Sequence, residues 1–79
     1  MYHVYIIYSK VKDKFYIGQT EDVTRRLFEH NIRKNLGASD WEIKFIETYK
    51  TRGEAMAREI EIKKKKRRSY LEYLIGSNQ

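Results

Sequence analysis

Apolar residues gather in six short stretches along this chain, with polar runs between them. Residues 2–8, Tyr-His-Val-Tyr-Ile-Ile-Tyr, are rich in β-branched and aromatic types and predict a strand. Alternation sets Tyr2, Val4, Ile6 and Tyr8 on one face and His3, Tyr5 and Ile7 on the other. Both faces are largely apolar, so this strand is expected at the centre of a sheet, covered on both sides. Ser9 to Lys14 is polar and turn-like, and Phe15 to Gln19 should return as an antiparallel partner, without the Asn-Gly turn that would set its register. Thr20 to Asp22 then cap a helix from Val23 to Asn31, whose narrow apolar stripe is Val23 and Leu27 with Phe28 on its flank. Gly37 lies in a polar loop ending at Asp40. A third strand follows, with Trp41, Ile43, Phe45 and Tyr49 on one face and Glu42, Lys44 and Thr48 on the other. Thr51-Arg52-Gly53-Glu54 has the form of a capping box and opens a second helix that runs to about Lys65, burying Ala55, Met56, Ile60 and Ile62. Ser69-Tyr70-Leu71-Glu72 repeats that form and predicts a third helix, with Leu71, Leu74 and Ile75 inward and Gly76 at its end. The order β-β-α-β-α-α describes an α+β fold, a small three-stranded antiparallel sheet flanked by helices.

Composition narrows the setting. Seventy-nine residues are expected to form one domain, 1–79, with a small core. There is no cysteine, hence no disulfide and no thiolate zinc site. The N-terminal residues lack a basic segment followed by an apolar one, and no apolar run approaches the ~20 residues of a membrane helix. A soluble cytoplasmic protein without a membrane partner is the expectation. Net charge is +6, and it is concentrated: residues 58–68 hold seven basic and two acidic side chains, leaving ten against nine elsewhere. One basic lobe on a near-neutral body suggests a polyanion, most simply nucleic acid, with DNA expected. Charge runs also serve solubility. Six consecutive cations, Lys63, Lys64, Lys65, Lys66, Arg67 and Arg68, repel one another and favour a binding role, to which Arg25 adds.

Candidate chemistry clusters around the second strand and first helix. Tyr16, Arg25, Arg26 and His30 lie within fifteen positions, and Arg26 and His30, four apart, share a helix face. Tyr5 lies on the partner strand. A phenol, a guanidinium and an imidazole together suit a phosphodiester. Each has an ordinary reading too: strand tyrosines pack, Arg26 can be solvated, and His30 suits a helix C-terminus. Glu59 follows Ala55 and Met56 on its helix, a placement that calls for a partner. That partner is either Lys63, in the favourable Glu-to-Lys order, or a metal ion.

With these residues in place, the sequence resembles the GIY-YIG nuclease superfamily, in particular its small stand-alone bacterial branch. Tyr16-Ile17-Gly18 matches the second half of the family's name, and His3-Val4-Tyr5 occupies the first, with histidine where the family has glycine. Arg26 follows Tyr16 at the family's spacing and His30 stands one turn later. Glu54-Ala55-Met56-Ala57-Arg58-Glu59 matches the approach to the family's glutamate. The asparagine that closes the site in repair and homing nucleases has no counterpart, since Asn78 is out of pattern. The resemblance implies a metal-dependent endonuclease of low intrinsic sequence specificity. Glu59 would be the only protein ligand of Mg2+ or Mn2+, Arg26 the stabiliser of phosphorane charge, Tyr5 or Tyr16 the base, and His30 a relay or phosphate ligand. Specificity would have to come from another protein. A noncatalytic nucleic-acid-binding module on the same fold is the alternative. The sequence does not speak to oligomeric state.

Overall fold

The computed structural model describes residues 1–34, 36–65 and 67–77, so Lys66 and Asn78 lie outside the described residues. Its elements are β1 (Tyr2–Ser9), β2 (Lys14–Thr20), α1 (Val23–Arg33), β3 (Trp41–Tyr49), α2 (Arg52–Lys65) and α3 (Arg68–Ser77), in the order read from the pattern. All pairing is antiparallel and the strand order is β2-β1-β3. The apolar character of β1 on both faces follows from that central place. Val4, Tyr5, Ile6 and Ile7 are each at most 2% exposed.

Because successive strand residues face opposite ways, β1 serves two cores. Val4 and Ile6 pack with Phe45 and with Ala55, Ile62 and Leu74 of α2 and α3. Tyr5 and Ile7 pack with Ala38, Trp41 and the Val23–Leu27 stripe of α1. Side chains pin α1 at both ends. Asp22 caps it, accepting from the Arg25 amide at 3.0 Å. Near its other end Asn31 donates to the Trp41 carbonyl at 3.1 Å and accepts from the Trp41 amide at 2.8 Å. The capping box at α2 also forms, Thr51 accepting from the Glu54 amide at 3.2 Å and donating to the Glu54 carboxylate at 3.0 Å.

Three expectations need correction. The third strand does not keep Trp41, Ile43, Phe45 and Tyr49 on one face. Ile7 pairs with Ile43 but Ile6 pairs with Phe45, so Lys44 is an extra residue and the strand bulges there. Trp41 and Ile43 therefore face α1, whereas Phe45 and Tyr49 face α2 and α3. The second correction concerns α2, where Met56 and Ile60 are 45% and 49% exposed. The inward stripe runs through Ala55, Arg58, Glu59 and Ile62 instead. An arginine can lie there because Glu47 on β3 meets it, Arg58 Nε donating to Glu47 Oε1 at 2.8 Å. Burial raises the Glu47 carboxyl, but the bonds from Arg58 and Tyr49 outweigh it and hold the group below its ordinary range.

The third correction is at α3, which starts at Arg68, not at a Ser69 cap, and extends through Gly76 to Ser77. The Arg67 carbonyl accepts from the Tyr70 and Leu71 amides and so closes its first turn. Arg68 reaches back across the hairpin to Asp13 at 2.7 Å and lies 5.3 Å from the Phe15 ring centroid. That bond and the one from Tyr8 pull the Asp13 carboxyl down to about 2. A depressed carboxyl stabilises the fold above its ordinary value and loses that effect as pH falls through about 2, so this clasp persists through mild acid.

Candidate active site

The first-motif tyrosine and the second-motif glycine are built against each other. Tyr5 on β1 stands opposite Gly18 on β2. A Cβ at Gly18 would lie 2.6 Å from the Tyr5 hydroxyl oxygen, 2.8 Å from Tyr5 Cζ and 3.1 Å from Tyr16 Cε2. The Tyr5 ring thus lies over the space a side chain would fill. Glycine is required here for close approach, not for backbone conformation. Tyr16 is two residues before Gly18 and shares its face. Its ring centroid is 6.3 Å from that of Tyr5.

Helix α1 lays its Arg26–His30 face on this pair. His30 is 1% exposed, and its Nε2 is 3.2 Å from the Tyr5 hydroxyl. Its ring meets Tyr16 nearly edge-on, with centroids 5.3 Å apart and planes at 64°. Arg26 lies against the Tyr5 hydroxyl and donates to Glu29 Oε1 at 3.3 Å. Glu29 also pairs with Arg25 at 3.7 Å. The sequence reading missed Glu29. Its signal was present, an acid three and four positions after two arginines.

Burial pushes the Tyr5 phenol up to about 12, the neighbouring Tyr16 adds to the rise, Arg26 opposes it, and the Glu59 charge adds a little more. At Arg26 burial works against the charge, but the bonds to Glu29 and Tyr5 outweigh it and raise its affinity for the proton. Tyr5 therefore stays a neutral hydrogen-bonding group at any physiological pH. This has a consequence for stability. A phenol raised from 10.0 to about 12 stabilises the fold fully below pH 10 and loses that effect as pH climbs through about 12. The loss is on the order of 2–3 kcal/mol. Urea titrations between pH 9 and 12 should show the decline in the wild-type protein, and Tyr5→Phe should make it shallower, leaving the smaller share of Tyr8 and Tyr49, whose phenols are also raised.

Glu59 comes from α2, which packs against β1 and the edge strand β2. Its side chain is 16% exposed and carries Lys63 at 2.6 Å. The ion pair read from spacing therefore exists, and the same carboxylate acts electrostatically on Tyr5. Among the described residues no group of three or more His, Cys, Asp or Glu side chains could share a metal ion. A lone carboxylate, already facing a cation, suits a hard ion that keeps most of its waters, such as Mg2+ or Mn2+. It does not suit zinc, which takes three or four protein ligands.

The remaining basic residues divide. Lys64, Lys65 and Arg67 are exposed at the α2–α3 corner, and Arg25 is exposed on α1. Arg68 is engaged with Asp13 and Glu72, and Lys63 with Glu59. Among the described residues no helix is long and apolar enough to cross a membrane.

Comparison with known proteins follows this geometry. Residues 1–72 match the family of the GIY-YIG catalytic domain. The chain is 36% identical over 67 residues to a UPF0213 protein of Halobacterium salinarum, covering 80% of this chain and 86% of that protein. No solved structure matches.

Proposed function

The chain belongs to the GIY-YIG family, and on that basis we propose that it is a divalent-metal-dependent endonuclease hydrolysing phosphodiester bonds in nucleic acid, DNA first, with little sequence preference. The observation that supports this reading best is the meeting of Tyr5, Tyr16, Arg26 and His30 on one face of the hairpin, within the field of Glu59.

Glu59 would hold Mg2+ or Mn2+, which supplies Lewis-acid stabilisation of phosphoryl charge when bound. Tyr16 is the residue to orient the attacking water and, once its own hydroxyl proton has passed to solvent, to take a proton from it, since Tyr16 is partly exposed whereas Tyr5 is buried and its phenol is pushed up to about 12. Tyr5 and His30 instead form a hydrogen-bonded floor that holds the Tyr16 ring from two sides. Arg26 presents its guanidinium to the phosphoryl oxygens, where a fixed fork of donors offsets charge as the new P–O bond forms and the old one breaks. Glu29 keeps that fork oriented.

Cleavage of single-stranded, duplex and branched DNA and RNA, with Mg2+ or Mn2+, tests the reading. Tyr16→Phe should slow cleavage by about 10²-fold or more, the usual worth of a general base. Tyr5→Phe, which removes a supporting hydroxyl, should cost nearer tenfold, in line with the loss of one hydrogen bond of about 1.4 kcal/mol. Equal rates for Tyr16→Phe and wild type would remove Tyr16 as the base. Binding without cleavage under either metal would support the noncatalytic module instead.

A further inference from the structure

The corner between α2 and α3 holds a feature that cleavage does not use. Lys64, Lys65, Arg67, Ser69 and Tyr70 line an open concavity of about 580 Å³, within the range of roughly 300–1,000 Å³ typical of small-ligand sites. Its aromatic wall is organised. The Tyr70 ring carries the Lys65 ammonium 5.3 Å from its centroid. Its hydroxyl bonds the inward-facing Arg58, which is itself bound by Glu47 and Glu61. Tyr73 lies beside the Tyr70 ring, with centroids 6.5 Å apart and planes at 25°. Tyr73 is 67% exposed.

Plain solubility explains lysines but not a pair of near-parallel rings among them. Cations beside stacked, accessible rings provide the two contacts that an unpaired nucleotide makes, phosphate to ammonium or guanidinium and base face to aromatic face. A base within a duplex has both faces covered by its neighbours and offers only the first. We infer that the α2–α3 corner is a second nucleic-acid site, which binds an unpaired nucleotide by stacking its base on the exposed Tyr73 ring and holding its phosphate with Lys64, Lys65 and Arg67. The site takes the identity of the anion from the nucleic-acid reading above, but does not depend on cleavage. It would hold a single-stranded arm beside a junction while the cleft engages the backbone elsewhere.

The test is fluorescence anisotropy in EDTA, so that nothing is cut, with labelled oligo-dT and oligo-U of twelve residues and a blunt duplex of the same length. Inorganic polyphosphate serves as an unlabelled competitor. Both single strands should bind more tightly than the duplex. Tyr73→Leu should weaken single-strand binding about tenfold, the equivalent of one base stack, and so abolish the preference. Tyr73→Trp should keep the preference, and its added indole should be quenched on binding. Lys64→Gln with Lys65→Gln should weaken all three and flatten their salt dependence. Unchanged single-strand binding in Tyr73→Leu would overturn the site, and so would polyphosphate competing as well as oligo-dT on a molar phosphate basis. Cleavage by the wild-type protein with Mg2+ or Mn2+ is measured alongside. If the single-strand preference is present and no metal supports cutting, the stacking site stands while the nuclease reading falls.

Discussion

Exchanging Glu59 for glutamine should lower metal-supported cleavage by about 10³-fold or more, since the loss of a metal's charge stabilisation is worth several kcal/mol. A neutral amide is a poor anchor for a strongly hydrated dication, and among the described residues no group of three or more acids or histidines forms a ready-made alternative site. The fold should barely notice. The substitution keeps the shape of the side chain and removes its pair with Lys63, which is 49% exposed, and exposed pairs are worth about 0–1 kcal/mol. A thermal melt beside the cleavage assay separates the two effects. Lys63→Met completes the series from the other side. Wild-type Glu59 carries the Lys63 ammonium at 2.6 Å, so an incoming ion must displace that cation, and removing it should lower the metal concentration for half-maximal cleavage. Full activity in Glu59→Gln would show that the ion is held elsewhere.

Gly18→Ala should be the most damaging conservative substitution in the sheet. The added methyl would lie 2.6 Å from the Tyr5 hydroxyl oxygen and 2.8 Å from Tyr5 Cζ, and that residue is 2% exposed with its hydroxyl bonded to His30. It has nowhere to swing. Overpacking of this kind costs about 1–3 kcal/mol, and the displaced hydroxyl would lose its contact with His30 and the ring its support of Tyr16. Chemical denaturation should show the destabilisation, and cleavage by the folded fraction should fall on the order of tenfold or more. Gly53→Ala is the control. Nothing lies within 4 Å of the added carbon, and a glycine replaced at a helical position stabilises by up to about 1 kcal/mol. If both alanines behave alike, the close approach of Tyr5 does not explain the glycine.

These two glycines illustrate what sequence alone conveys. Gly18 is marked by the family motif, yet its reason is a contact with residue 5 on another strand, which no local pattern contains. Elements were legible where their causes were local, as in the two-sided apolar run of β1, the Thr51 capping box, and the Arg26–His30 helix face. They were obscure where a partner came from afar. Lys44 is one inserted residue that leaves the rhythm of buried and exposed positions along β3 intact while exchanging the faces. Arg58 turns inward because Glu47, eleven residues earlier, meets it. Arg68 looks like the last of six equivalent cations until Asp13, 55 residues away, takes it out of the set. Of the candidate site, Tyr5, Tyr16, Arg26 and His30 come together as their spacing suggested. Glu29 does not stand out in the sequence because its bonds to Arg25 and Arg26 are those of an ordinary helical ion pair.

The position of Tyr5 at the centre of the sheet sets a limit on how this molecule can respond to what it binds. β1 is paired on both sides and its core residues are buried on both faces, so it belongs to the part of a small protein that opens only with the whole. Tyr5 cannot shift far without the fold coming apart. On the nuclease reading, adjustment is left to the long side chains around it and to the bound nucleic acid.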